Sequence, residues 1–277
     1  MTGLTPLAQR VLFAAVAIPV MVAVVGYAPA WLFVAVVLGL VLIAQWELYR
    51  MFARVGVAAD AGWGLLLGGL VVLAFAVGGA LRPWLVPFAL SLAVAGCLAL
   101  GLRRATGTGF EWAGLALTLL GICYCAWLLG HTIWLRELPN GAALTFLVLG
   151  VTWCGETAAY FVGRRWGRRK LAPRVSPAKT VEGAVAQLVA SVAAALVASA
   201  AALLPGLTPV HAVGIGVTLG VLGQIGDLAE SFLKRGAETK DASRLLPGHG
   251  GLLDRLDSLL FNVPALYYYV KIFANPT

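Results

Sequence analysis

The sequence predicts an all-α membrane protein, a multi-pass bundle of about nine transmembrane helices. Three observations carry that expectation. The 277 residues are 61% hydrophobic and only 12% charged, against about 45–50% and 25% in a soluble domain. A soluble fold of this length cannot hide so much apolar surface, and a disordered chain would not contain it. Apolar runs long enough to cross a hydrocarbon core of about 30 Å recur along the whole chain. Basic residues, finally, gather in alternate connecting segments.

The runs cover 11–27, 30–49, 61–80, 84–102, 112–135, 142–163, 182–204, 209–230 and 258–274. Before the first lies Arg10 and after it Ala28-Pro29-Ala30, a loose likeness to a cleaved leader. The many spans that follow favour an uncleaved first helix. Turn signals separate later runs: Arg82-Pro83, Pro139-Asn140-Gly141, and Pro205 to Pro209. The seventh run, with Ser191, Ser199 and Ala193 to Ala202, is dense in small residues that suit close helix packing in lipid. In the eighth, Gly214, Gly216 and Gly220 loosely resemble a nucleotide-binding glycine pattern. No strand precedes them, so they read as packing glycines. Cys97, Cys123, Cys125 and Cys154 all lie in apolar stretches without a CxxC pair, and read as small packing residues.

A net charge of +8 would suggest a nucleic-acid partner in a soluble protein. Here topology accounts for it, and no nucleic acid is expected. If the N-terminus is cytoplasmic, one side holds seventeen of the twenty basic residues: Arg10, Arg50, Arg54, Arg103, Arg104, seven within 164–179 and five within 234–255. The other side holds Arg82, Arg136 and Lys271. That bias supports nine spans, a cytoplasmic N-terminus and an outer C-terminus. We expect one integral membrane domain over 1–277, with N-terminal helices in 1–110 and catalytic helices and cytoplasmic loops in 111–277.

Seven of the twelve acidic residues lie between Glu182 and Asp257. Gln224, Asp227, Ser231 and Lys234 are spaced to form one polar stripe on a helix, with Glu230 beside it. A salt-bridged helix end is the plain reading of that stripe. Beyond it come Lys240-Asp241, then Gly248-His249-Gly250-Gly251, then Asp254-Arg255-Leu256-Asp257. Asp254 and Asp257 share a face if that stretch is helical. Oxygen donors suit Mg²⁺ or another hard cation, and Asp227 and Asp254 from two elements could pinch one or two metal ions. His249 suits a phosphate or a proton transfer, and the glycines around it can offer N–H groups to phosphate oxygens or simply make a tight turn. Upstream, Arg164 to Arg169 fit the topology rule or anionic headgroups. Lys179-Thr180 before a helix start is a phosphate-binding arrangement. Together these residues fit phosphoryl or nucleotidyl transfer to a lipid phosphate on the cytoplasmic membrane face.

Ser231-Phe232-Leu233-Lys234-Arg235, Lys240-Asp241 and Pro247 to Asp257 (PGHGGLLDRLD) closely resemble the signature of the phosphatidate cytidylyltransferases, or CDP-diacylglycerol synthases. Gly226-Asp227-Leu228-x-Glu230-Ser231 resembles the family's helix leading into it. Ala159-Tyr160-x-x-Gly163-Arg164 and Ser176-Pro177-x-Lys179-Thr180-x-Glu182-Gly183 resemble a second block. The resemblance covers about 152–262. It departs at Glu156, where the family commonly has Asp, and at Ala178, where a further Lys or small residue occurs.

The resemblance implies CTP plus phosphatidate giving CDP-diacylglycerol plus pyrophosphate, with Mg²⁺ and a second cation as candidate cofactors. It implies metal binding by Asp227 and Asp254, with Asp257 and Glu230 as auxiliary ligands. Lys240, His249 and Arg255 would hold CTP phosphates or the transition state, beside Asp241. Ser176, Lys179, Thr180 and Glu182, then Ser231, Lys234, Arg235, Gly248, Gly250 and Gly251, would bind substrate. A homodimer in a bacterial plasma membrane is implied, with CTP, phosphatidate and the lipid bilayer as partners. Two other readings stay open: CTP-dependent chemistry on another lipid phosphate, including a lipid kinase, and an ion-coupled transporter using Asp227 and Glu230. The transporter lacks the internal repeat it would often show.

Overall fold

Each of the nine apolar runs folds as helix, and the breaks fall where Gly, Pro or charge interrupts the pattern. A computed structural model describes residues 6–104, 112–204, 206–243, 245–246 and 250–274, without the side chains of 6–10 and 104. The elements are α1 (Pro6–Tyr27), α2 (Ala30–Ala53), α3 (Ala61–Ala76), α4 (Arg82–Arg104), α5 (Trp112–Gly121), α6 (Leu128–Glu137), α7 (Gly141–Trp166), β1 (Lys170–Ala172), β2 (Ser176–Thr180), α8 (Val181–Ala200), α9 (Pro209–Gly236) and α10 (Leu253–Phe273). A π-helical segment, Ile122–Trp127, makes α5 and α6 one continuous rod. Asp60 starts α3 by accepting the Trp63 N–H at 3.0 Å. That helix ends four residues before the apolar run does, at Gly78-Gly79, where Gly79 takes φ +76° and a 3₁₀ turn follows. At the other extreme, α9 and α10 run past their apolar stretches and carry the charged residues 230–235 and 254–257 on helix.

Among the described residues, six helical segments are long and apolar enough to cross a membrane: Ala30–Ala53, Gly79–Arg103, Trp112–Glu137, Gly141–Trp166, Val181–Ala200 and Pro209–Gly236. Val11–Tyr27 and Ala61–Ala76 are shorter apolar helices. The chain is thus a predominantly helical membrane protein. One element was not expected from the sequence: β1 and β2 pair antiparallel, Lys170 opposite Thr180 and Ala172 opposite Ser176. The hairpin passes directly into α8. Thr180 is the N-cap, its hydroxyl accepting the Gly183 N–H at 3.1 Å. Glu182, in the first turn, accepts the N–H groups of Arg168 at 3.0 Å and Arg169 at 3.3 Å. Strand, cap and helix are therefore one fixture.

The chain forms two compact units: Met1–Ile133 with Gly236–Arg255, and Trp134–Arg235 with Leu256–Thr277. In the first, α2 packs on α3, and α3 on α4 and the π segment. Val41, Leu48, Met51, Val71, Phe75 and Ile122 are fully buried there. Gln45 and Tyr49 of α2 carry polar groups into this core, where their donors find partners. Gln45 Nε2 donates to Tyr49 Oη and to the Gly64 carbonyl, both at 2.7 Å, and Tyr49 donates to the Thr118 carbonyl at 2.6 Å. A methyl added at Gly64 or Gly121 would strike the Tyr49 ring.

In the second unit α7 and α8 lie along each other on a seam of small residues. Gly155 faces Ser191, and Gly163 faces Gly183. Gly216 of α9 approaches the Val192 backbone so closely that a Cβ would meet its Cα, and Gly220 sits against Leu188 and Ser191. The packing role read from the sequence for Gly216 and Gly220 is what the structure contains. Gly226 lets α10 approach, since a Cβ there would lie 2.6 Å from the Asp257 carbonyl oxygen. Leu147, Val148, Val151, Ala195, Ile215, Leu219 and Leu266 form the apolar core around these contacts.

Two substitutions test this packing. Gly216→Leu drives a side chain into backbone, and such overpacking costs roughly 1–3 kcal/mol. We expect a lowered thermal midpoint in detergent and a poor yield of folded protein. Thr180→Ala removes the α8 cap at a cost of about 1 kcal/mol, which thermal unfolding of the purified protein reads; Thr180→Ser should restore most of it.

Candidate active site

The polar stripe expected on α9 exists. Asp227 is approached by Lys179 of β2, whose Nζ lies 2.6 Å from Oδ2. One turn on, the Ser231 hydroxyl points at Asp227 Oδ1, at a long 3.5 Å. Both Asp227 and Lys179 keep some exposure, at 33% and 22% of their side chains, so the pair is open to a ligand from solvent. Glu230 differs: it is wholly buried and pairs with Lys234 at 2.5 Å. Gln224 donates to the Ala184 carbonyl of α8 at 2.9 Å, and Arg235 to the Val175 carbonyl in the hairpin turn at 3.1 Å. The first bond ties α8 to α9 and the second ties the hairpin turn to α9, with Lys179 of the hairpin beside Asp227. Ser176 sits near the start of β2, half-buried.

Asp257, at the start of α10, belongs to the same unit. Loss of water around its carboxyl, then the negative charges of Asp227 and Glu156, push it well up from the ordinary carboxylate range, against the pull of Lys234 and the Ser258 N–H. The negative charges of Asp227 and Glu156 bear on the Asp257 carboxyl. Glu156 of α7 thus faces the same neighbourhood as Asp227, although its chain is one methylene longer than the Asp the resemblance leads one to expect.

The segment 236–255 belongs to the other unit, and its organisation depends on two carboxylates. Asp254, the second residue of α10, is buried. Its Oδ2 accepts the N–H of Gly251 at 2.7 Å and of Ala242 at 3.0 Å. Glu47 of α2, also buried, accepts from Ser243 and from the N–H groups of Leu252 and Leu253. Between these two carboxylates sit Gly250, at φ +82°, and Gly251. A Cβ on Gly250 would lie 2.9 Å from Asp254, and one on Gly251 the same distance from Glu47. The Gly251 N–H expected to face phosphate is thus already spent on Asp254. Lys240, Asp241 and Arg255 are exposed. Gly248 and His249 lie outside the described residues. The sequence reading missed Glu47, yet a signal was there: a lone carboxylate in an otherwise apolar run, the kind of residue that lipid makes expensive.

The donor set suits a hard cation. It is all oxygen, and the charge of Asp227 reaches the Asp257 carboxyl. Among the described residues no three His, Cys, Asp or Glu side chains come near enough to enclose a metal ion. Mg²⁺ does not need that enclosure, since it is usually bound by one or two carboxylates with water and substrate phosphate completing its shell.

Comparison with known proteins agrees with the residues. The model of the cytidylyltransferase family matches residues 8–273. A phosphatidate cytidylyltransferase of Brucella suis is 33% identical over 243 residues, covering 87% of this chain and 84% of that one. The Bacillus subtilis phosphatidate cytidylyltransferase is 39% identical over 161 residues, 58% of each chain. The Thermotoga maritima protein of that name is 37% identical over 138 residues, 48% of this chain and 50% of its own. A match that runs through nearly every helix and both acidic clusters places the chain in the cytidylyltransferase family.

Proposed function

We infer that this enzyme, a nucleotidyltransferase, transfers CMP from CTP to phosphatidate in phospholipid synthesis. A phosphate oxygen of the lipid forms a bond to the α-phosphorus of CTP, the bond from that phosphorus to the bridging oxygen breaks, and pyrophosphate leaves. The observation that carries the reading is the Lys179–Asp227 pair. A phosphate-binding cation and a metal-binding carboxylate, both reachable from solvent, lie within one contact of each other. Two polyanions must be brought together, and cations offset both their repulsion and the charge that builds on the leaving group.

Asp227 would hold Mg²⁺, with Asp257 in the place expected for Asp254, whose carboxylate accepts the Ala242 and Gly251 N–H groups; Glu156 would stand beside them, and the ion would withdraw charge from the phosphates. Lys179 would bind a phosphate of one substrate. Glu230 pairs with Lys234 one turn on. Lys240 and Arg255 are free in solvent to meet nucleotide phosphates, and Asp254 holds the glycine segment in shape. No general base is needed, because a phosphate monoester is already largely ionised near neutral pH. We place the active groups on the cytoplasmic face of a bacterial plasma membrane, in a nine-span chain with a cytoplasmic N-terminus. The seventeen-to-three basic bias and the bacterial relatives support that placement.

The test is a product assay on the detergent-purified protein with phosphatidate, Mg²⁺ and CTP labelled in the cytosine. Label should enter the organic phase, vanish with EDTA and return with excess Mg²⁺. Label entering only from γ-phosphate-labelled CTP would mean a lipid kinase and overturn the reading. Asp227→Asn should lower turnover by roughly 100-fold or more, as loss of a transition-state electrostatic partner does, while the protein stays folded in detergent. Lys179→Ala should raise KM for one phosphate substrate and lower kcat less than Asp227→Asn does; equal losses in both variants would instead assign Lys179 to positioning Asp227.

A further inference from the structure

We propose that Glu47 is the positioning residue of the glycine segment, acting from α2 on Ser243 and on the backbone of Leu252 and Leu253 next to Gly251; the proposal rests on the cytidylyltransfer reading for its kinetic arm only. Glu47 is fully buried. Its Oε1 accepts the Ser243 hydroxyl at 2.5 Å and the Leu252 N–H at 3.0 Å, and its Oε2 accepts the Leu253 N–H at 2.7 Å. Both oxygens are therefore occupied by groups of one short segment, some two hundred residues away along the chain.

The chemistry of those donors explains why an anion stands there. Leu252 and Leu253 open α10, so their N–H groups belong to the helix end that has no carbonyl partners of its own. A carboxylate satisfies them and interacts favourably with the positive end of the helix. Ser243 adds a tie from the far side of the segment, and its own Oγ accepts the Leu245 N–H at 3.0 Å. Asp254 faces the same stretch from the other side through Gly251 and Ala242. Gly251 stands between two buried carboxylates, its N–H donated to Asp254, and the absence of a side chain there is what lets Glu47 come close. With its oxygens committed, Glu47 acts through the segment and not on substrate.

Glutamine at this position is isosteric, but it replaces one acceptor oxygen with an amide that meets an N–H donor. The experiment compares wild type, Glu47→Gln, Glu47→Asp and Ser243→Ala in detergent. It reads thermal midpoint, hydrogen exchange of the peptide over 245–256, and kcat and KM for CTP. We expect Glu47→Gln to speed exchange in that peptide and to lower kcat/KM by roughly 100-fold, the scale of a small misplacement of reacting groups. Glu47→Asp should recover part of the loss. Ser243→Ala leaves α2 intact and should show the same changes more weakly. Combined with Glu47→Gln it should lose less than the two single losses multiplied.

Unchanged exchange in Glu47→Gln, or unchanged kcat/KM with exchange altered, would overturn the proposal. So would a loss of rate that merely follows the loss of folded protein. If wild type made no cytidylylated lipid, the functional reading would fall, while the exchange data would still decide whether Glu47 holds the segment.

Discussion

A carboxylate withdrawn from water in a membrane protein needs donors to replace the water, and this chain meets that demand repeatedly where its chemistry lies. Glu47 takes a hydroxyl and two N–H groups, Asp254 takes two backbone N–H groups, and Glu230 takes the Lys234 ammonium. Each of these bonds fixes the segment that supplies the donor. Asp227 and Lys179, which keep some solvent access, lie on elements tied together by Gln224 and Arg235 through backbone carbonyls. Satisfying buried charge and arranging the reactive groups are thus one physical problem with one solution.

Much of this was legible in the sequence, because lipid makes the pattern coarse. Nine apolar runs gave nine helical stretches, and the small-residue content of α8 and α9 foretold the close approaches at Gly155–Ser191 and Gly216–Val192. Asp254 and Asp257 do share the first turns of one helix. Other features were hidden for identifiable reasons. The hairpin of β1 and β2 is too short and too basic for strand periodicity to register. The early end of α3 depends on a positive φ at Gly79 that hydropathy does not record. Glu47 looked like part of a span because its partners lie far along the chain, and no local spacing announces a contact of that range.

The resemblance and the geometry also divide the work between residues differently from the sequence expectation. Read in line, the glycines and Thr180 seemed to be open phosphate donors. Folded, Gly251 donates to Asp254, and Thr180 closes the first turn of α8. Lys179 in part, and Lys240 and Arg255 more fully, keep their cationic heads in solvent.

The hairpin carries one more implication. Along a strand, neighbouring side chains alternate between faces. β2 departs from that rule where Lys179 sits. Ser176 pairs with Ala172 and Thr180 with Lys170, so four residue steps on β2 face two on β1, and Val181 then bonds back to the Arg169 carbonyl at 2.9 Å. Such an irregularity bends a strand and re-aims its side chains, and Lys179 meets Asp227 from within it. A deletion that restored even pairing would change that aim while leaving composition, charge and helix content almost untouched. The extra length of β2 is a specification that a residue-by-residue comparison of motifs would not detect.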